Sequence, residues 1–157
     1  MRLCLPDRIV VVTGGSGGIG RAIIARFLDE GAKVASIDLR PLPAALLRHD
    51  RALSLIADVG DQAQVEAAIE TAVGRFGALH VLVNGAAAMT PTATVVELAA
   101  DEWDNALRVN LTSAFLVAKA AIPHLKASGG GAVVNIASRS GLPAAAAVAR
   151  MARPKRR

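Results

Sequence analysis

The chain has 157 residues, 53% of them hydrophobic, one cysteine and a formal net charge of +5. That length suits one domain with a sizeable core, the apolar content excludes a disordered chain, and no apolar run approaches the roughly eighteen residues of a membrane span. Five of the 18 basic residues (Arg150, Arg153, Lys155, Arg156 and Arg157) lie in the last eight positions, while residues 1–149 carry 13 basic and 13 acidic groups; the neutral body argues against a basic groove for specific nucleic-acid binding.

Met1 to Arg8 is too short and polar for a secretory signal, and Cys4 permits no internal disulfide, so a cytoplasmic location is expected. The apolar run Ile9-Val10-Val11-Val12 reads as a buried parallel strand. Arg21 to Glu30 carries Ala22, Ile23, Ala25, Phe27 and Leu28 at helical spacing. Lys33 to Ile37 reads as a second strand ending at Asp38. Residues 41–50, with Pro41 and Pro43, hold at most a short helix. Ala52 to Ala57 is a third strand, followed by Asp58-Val59. Asp61 caps a helix to about Phe76. Leu79 to Val83 is a fourth strand, leading into Asn84-Gly85-Ala86. After a loop with Pro91, Asp101 is the expected N-cap of a long helix to about Lys126. Ala132 to Ala137 is a fifth strand ending at Ser138. The alternation predicts an α/β fold, a doubly wound parallel sheet of five strands with helices on both faces. Residues 1–142 are expected to form this domain and residues 143–157 an Ala-rich, then basic, disordered tail.

Ligands of such sheets lie beyond the carboxyl ends of the strands. Thr13-Gly14-Gly15-Ser16-Gly17-Gly18-Ile19-Gly20 turns from the first strand into the first helix. Unpaired N–H groups and the helix dipole there favour a phosphate. Gly14 allows the tight turn, Gly18 lets the backbone approach a pyrophosphate, and Gly20 lets the helix sit close on its strand. Asp38 follows Gly20 by 18 residues, the place for a carboxylate that accepts hydrogen bonds from the adenosine ribose. Such a carboxylate repels a 2′-phosphate, which favours NAD over NADP. Arg40 softens that preference, and Gly17 adds no cation. Asp58 suits a strand-end turn and is also placed to contact the adenine edge. No metal site is expected.

These residues resemble the short-chain dehydrogenase/reductase family over roughly residues 5–143. Thr13, Gly14, Gly18 and Gly20 complete its T-G-x-x-x-G-x-G element. Asp58-Val59 matches its Asp-Val, Asn84 and Ala86 match two positions of N-N-A-G, Asn110 matches its helix asparagine, and Ser138 its catalytic serine. The resemblance implies hydride transfer between a nicotinamide cofactor and an alcohol or ketone. It assigns the cofactor to Thr13, Gly14, Ser16, Gly18, Ile19, Gly20, Asp38, Asp58, Val59, Asn84 and Ala86. It also implies that Ser138 orients the substrate oxygen and that Asn110 anchors a water of the proton relay.

One departure limits what the resemblance licenses. The family places Tyr-x-x-x-Lys thirteen residues after the serine, where this chain has Met151 and, four further on, Lys155; it contains no tyrosine at all. A thioether has no exchangeable proton and cannot act as the acid or base. Pro154 opposes the helix that would present Lys155. The family's later strands, substrate segment and oligomer-forming helices would follow residue 157, so a truncated product is expected: one that at most binds NAD or serves as a nucleotide-sensing module. The fifth strand would form a sheet edge, the helix face with Phe115, Leu116 and Ala120 would lose cover, and the family's homo-oligomer interface would be missing.

Overall fold

The computed structural model describes residues 5–89 and 93–138. Cys4, Pro91, Met151, Lys155 and the tail 143–157 lie outside the described residues. Five strands, β1 (Ile9–Thr13), β2 (Lys33–Asp38), β3 (Ala52–Ile56), β4 (Val81–Asn84) and β5 (Ala132–Asn135), form one parallel sheet in the order β3-β2-β1-β4-β5. Helices α1 (Gly18–Asp29), α2 (Ala44–Leu47), α3 (Gln62–Phe76), α4 (Ala100–Leu107) and α5 (Ser113–Ala127) connect them, α4 and α5 being joined by a π-helical turn over Arg108–Thr112.

The sheet is covered on both faces because β1 alternates its side chains between two cores. Ile9 and Val11 pack with Val65 and Ile69 of α3 and Val117, Ala121 and Leu125 of α5. Val10 and Val12 pack on the other face with Ile24 and Leu28 of α1. Register runs evenly, with Val11 opposite both Ala35 and Leu82. β1 therefore sits where successive connections leave in opposite directions, toward β2 on one side and β4 on the other. In an open sheet this is the switch point at which a crevice opens beyond the strand ends.

Several boundaries differ from the sequence reading. Helix α1 begins at Gly18 rather than Arg21. Two glycines in its first turn, Gly18 and Gly20, hide the start, since glycine has poor helix propensity; close packing on the turn requires it at Gly20. Asp101 is not the N-cap of α4; that position is Ala99, whose carbonyl accepts the first helical bond, from Trp103 N–H. The preceding turn, in which the Thr94 carbonyl accepts from Glu97 and Leu98 N–H, delivers the chain into the helix two residues early. Asp101 and Glu102 instead occupy the first turn, where their charge complements the dipole. The long helix expected to run to Lys126 is interrupted by the π turn. Asp61 does cap α3, accepting from Gln64 N–H at 3.1 Å.

β5 forms one end of the sheet among the described residues, with Val133, Val134 and Ile136 partly exposed. Phe115 is 63% exposed on α5, whereas Leu116 and Ala120 are half-buried. No helix of the described residues is long and apolar enough to cross a membrane.

Candidate functional site

A cleft of about 570 Å³ opens at the switch point. Its walls include Gly14, Gly18, Ile19 and Gly20 of the glycine turn, Asp38 at the end of β2, Asp58 and Val59 after β3, and Ala86 after β4. Eight of the residues singled out from the sequence thus share one cavity. Gly14 has φ +70°, and a Cβ there would lie 2.6 Å from the Gly85 carbonyl oxygen, so both its turn and its close approach to the β4 loop require glycine. A Cβ on Gly20 would strike the Gly14 carbonyl and lie 2.7 Å from Gly15 Cα. Gly20 therefore packs on the turn itself. Gly18 differs: a Cβ there meets nothing within 4 Å, so the space above it is open cleft.

Three other residues hold the cleft from behind. Buried Thr13 accepts through Oγ1 from both Gly85 N–H (3.0 Å) and Ala86 N–H (3.1 Å), tying the end of β1 to the loop after β4. Ser16 turns its hydroxyl away from the cleft and donates to the carbonyls of Arg40 (2.6 Å) and Pro41 (3.1 Å). Asn84, 7% exposed, donates through Nδ2 to Asn135 Oδ1 at 2.9 Å, while its own Oδ1 is buried without a partner among the described residues.

Asp38 connects the cleft to this frame. One carboxylate oxygen accepts from Ser16 N–H (2.9 Å) and the other from Arg40 N–H (3.0 Å). Asp58 accepts from Gly60 N–H at 2.8 Å and pairs with Arg108 of the π turn, Nη1 to Oδ2 at 2.8 Å. Arg108 also lines the cleft; the sequence reading passed over it, although it stands two residues before Asn110.

Asn110 lies outside the cleft lining. It clamps the backbone of one residue of the β4 loop, donating from Nδ2 to the Ala88 carbonyl (3.0 Å) and accepting the Ala88 N–H on Oδ1 (2.9 Å). Ser138 is exposed, three residues beyond β5. Among the described residues, no group of three or more His, Cys, Asp or Glu side chains could hold a metal ion.

α1 starts without a side-chain cap and with no acidic residue in its first turn. Its first N–H groups, at Gly18, Ile19 and Gly20, have no intrahelical acceptor and belong to residues that line the cleft, the arrangement that receives an anion. The geometry thus offers an anion cradle flanked by two carboxylates that can accept from hydroxyl or amino groups.

The short chain dehydrogenase family matches residues 8–150. D-threitol dehydrogenase of Mycolicibacterium smegmatis is 36% identical over 142 residues, an alignment covering 87% of this chain and 54% of that one. 2-(R)-hydroxypropyl-CoM dehydrogenase of Xanthobacter autotrophicus is 37% identical over 147 residues, 88% of this chain and 59% of the other. Among solved structures, levodione reductase superposes with a TM-score of 0.79 at 34% identity, covering 85% of this chain and 55% of its own. The chain therefore spans about half the length of the relatives it matches. With an open parallel sheet, a glycine turn at its switch point and a family match across nearly the whole sequence, this chain belongs to the short-chain dehydrogenase family of NAD(P)-dependent oxidoreductases.

Proposed function

We propose that this chain is the cofactor-binding part of an NAD-dependent oxidoreductase acting on a small-molecule alcohol or ketone in the cytoplasm. The observation that carries the reading is the cleft, in which Gly18 leaves open space before the uncapped start of α1 and Asp38 stands at the neighbouring strand end. These residues fit a dinucleotide. The α1 N-terminus would hold the pyrophosphate, Asp38 the adenosine ribose, and Asp58 with Val59 the adenine. A bound nicotinamide supplies a hydride acceptor or donor.

The chain's own residues would bind and orient. Asp38 is held by two backbone N–H groups, so it faces a ligand as a fixed carboxylate that accepts from ribose hydroxyls and repels a 2′-phosphate. Asn110 would fix the β4 loop beside the cleft, and Ser138 would orient a substrate oxygen. Relatives named for dehydrogenating D-threitol and 2-(R)-hydroxypropyl-CoM support a hydroxylated substrate class. Residues 1–142 would form the binding unit, with 143–157 as a tail outside it.

A second reading concerns turnover. The 157 residues contain no tyrosine, and neither Met151 nor any other residue stands as a phenolic acid. On this reading, the chain by itself binds cofactor without transferring hydride.

Titration of the purified chain with NADH and NADPH, followed by nicotinamide fluorescence, tests the first reading. Saturable NADH binding is expected, with NADPH weaker by about tenfold, the equivalent of about 1.4 kcal/mol. Equal or tighter NADPH binding would overturn the role of Asp38, and no binding by folded protein would overturn the site. Adding a panel of ketones tests the second reading, which expects no oxidation of NADH; turnover would contradict it.

A further inference from the structure

Asp58 is held in place by a residue from a distant element. The Arg108 guanidinium leaves the π turn, crosses over Gly60 and meets Asp58 Oδ2 at 2.8 Å, while its Nη2 donates to Asn105 Oδ1 at 3.1 Å. The path exists because Gly60 has no side chain. A Cβ there would strike Nη1 and lie 2.9 Å from Cζ and 3.1 Å from Cγ. The backbone at Gly60 is not in the left-handed region, so nothing in its own conformation requires glycine; the room for Arg108 does. The π turn aims two side chains at the cleft region, Arg108 to the loop after β3 and Asn110 to the loop after β4. A helical turn with one extra residue changes which side chains face a neighbour, and such turns gather at functional sites.

The charges give this contact a purpose. Asp38 and Asp58 both line a cleft suited to an anionic ligand. Asp38 is compensated by two backbone N–H groups, whereas Asp58 has one such bond and the Arg108 cation. Without Arg108, a carboxylate held only by the Gly60 N–H and with no cation beside it would face a ligand carrying its own negative charge.

We propose that Arg108 is a positioning residue for the adenine end of the cleft. It acts through Asp58, which it orients and whose charge it offsets, and Gly60 keeps its path clear. The proposal rests on the dinucleotide reading above. The ligand recognised is an adenosine diphosphate moiety, and ADP-ribose, which carries that moiety and no nicotinamide, is the probe.

Affinity for ADP-ribose is measured by titration calorimetry on the 157-residue chain and its R108A, R108K, G60A, D58N and R108A/D58N variants, each first checked for a wild-type circular-dichroism spectrum and melt. R108A is expected to bind about fivefold more weakly, the scale of a partly exposed ion pair. R108K should recover most of the loss, G60A should reproduce it, and the double variant should lose no more than D58N alone. Wild-type affinity in R108A, or losses that multiply in the double variant, would overturn the proposal, because Arg108 would then act independently of Asp58. If wild-type protein takes up no ADP-ribose, the dinucleotide reading itself fails and takes this proposal with it. Binding by wild type with no effect of R108A removes this proposal alone.

Discussion

Replacing Thr13 by valine removes one oxygen and almost nothing else. Valine keeps the branched shape and the strand preference at the end of β1, so packing in this buried position (2% exposed) is retained. What is lost is the acceptor for two backbone donors, Gly85 N–H at 3.0 Å and Ala86 N–H at 3.1 Å. Leaving a buried donor unmatched costs about 1–3 kcal/mol. Both donors here are only half-buried, which favours the low end, so the pair amounts to about 2 kcal/mol. For a domain of this length that lowers the melting temperature by about 4–8 °C. Thr13→Ser, which keeps the oxygen and gives up a methyl, should lose about half as much, on the order of 1 kcal/mol. Urea unfolding should show a lower midpoint with an unchanged slope, and Gly85 and Ala86 should exchange their amide protons faster. A Thr13→Val melt within a degree of wild type would refute the assignment of Thr13 as the tie between β1 and the β4 loop.

Three further outcomes follow from the same geometry. Asn110→Ala releases the Ala88 N–H and carbonyl and should cost about 1 kcal/mol, since the clamp is exposed; amide exchange at Ala88 measures it. Asp61→Ala should lower the urea midpoint by removing the α3 cap, while Asp61→Asn keeps most of it. His80 provides a pH dependence. Burial, reinforced by the Arg8 charge, holds its imidazole below the usual value, and Nδ1 accepts the Ile9 N–H at 3.0 Å. The unfolded chain binds that proton more readily. The stability from His80 is therefore complete above about pH 6.5, the ordinary imidazole value, and is lost as pH falls through the lower folded value. His80→Asn, whose Oδ1 can accept the same N–H, should lose less stability on acidification than wild type; parallel curves would refute this.

The sheet and its order of elements were legible because five apolar runs each stand between helical patterns. Strand order was not: nothing local in Val81–Asn84 says that it lies beside β1 rather than β3. The cleft-lining glycines and both carboxylates could be read from their spacing around strand ends. Ser16 and Thr13 could not be told from ligand contacts, because a hydroxyl in a glycine turn serves a phosphate or the backbone equally well. Their bonds to Arg40, Pro41, Gly85 and Ala86 join positions far apart in the chain. Asp101 misled for a related reason. An acidic residue suits the first turn as well as the cap, and only the bond from Trp103 N–H to the Ala99 carbonyl separates the two. The π turn left no sequence signal; it is visible only where Arg108 and Asn110 find partners 50 and 22 residues away.

The central claim is that the glycine turn, Asp38 and Asp58 receive one dinucleotide. Amide chemical shifts of isotopically labelled protein, followed by NMR as NAD is added, test it most directly. The account expects saturable shifts concentrated at Gly14, Gly17, Gly18, Ile19, Gly20, Leu39, Val59 and Ala86, all lining the cleft. Shifts concentrated on the outer face of α3 or along β5, or no shifts in a folded spectrum, would contradict it.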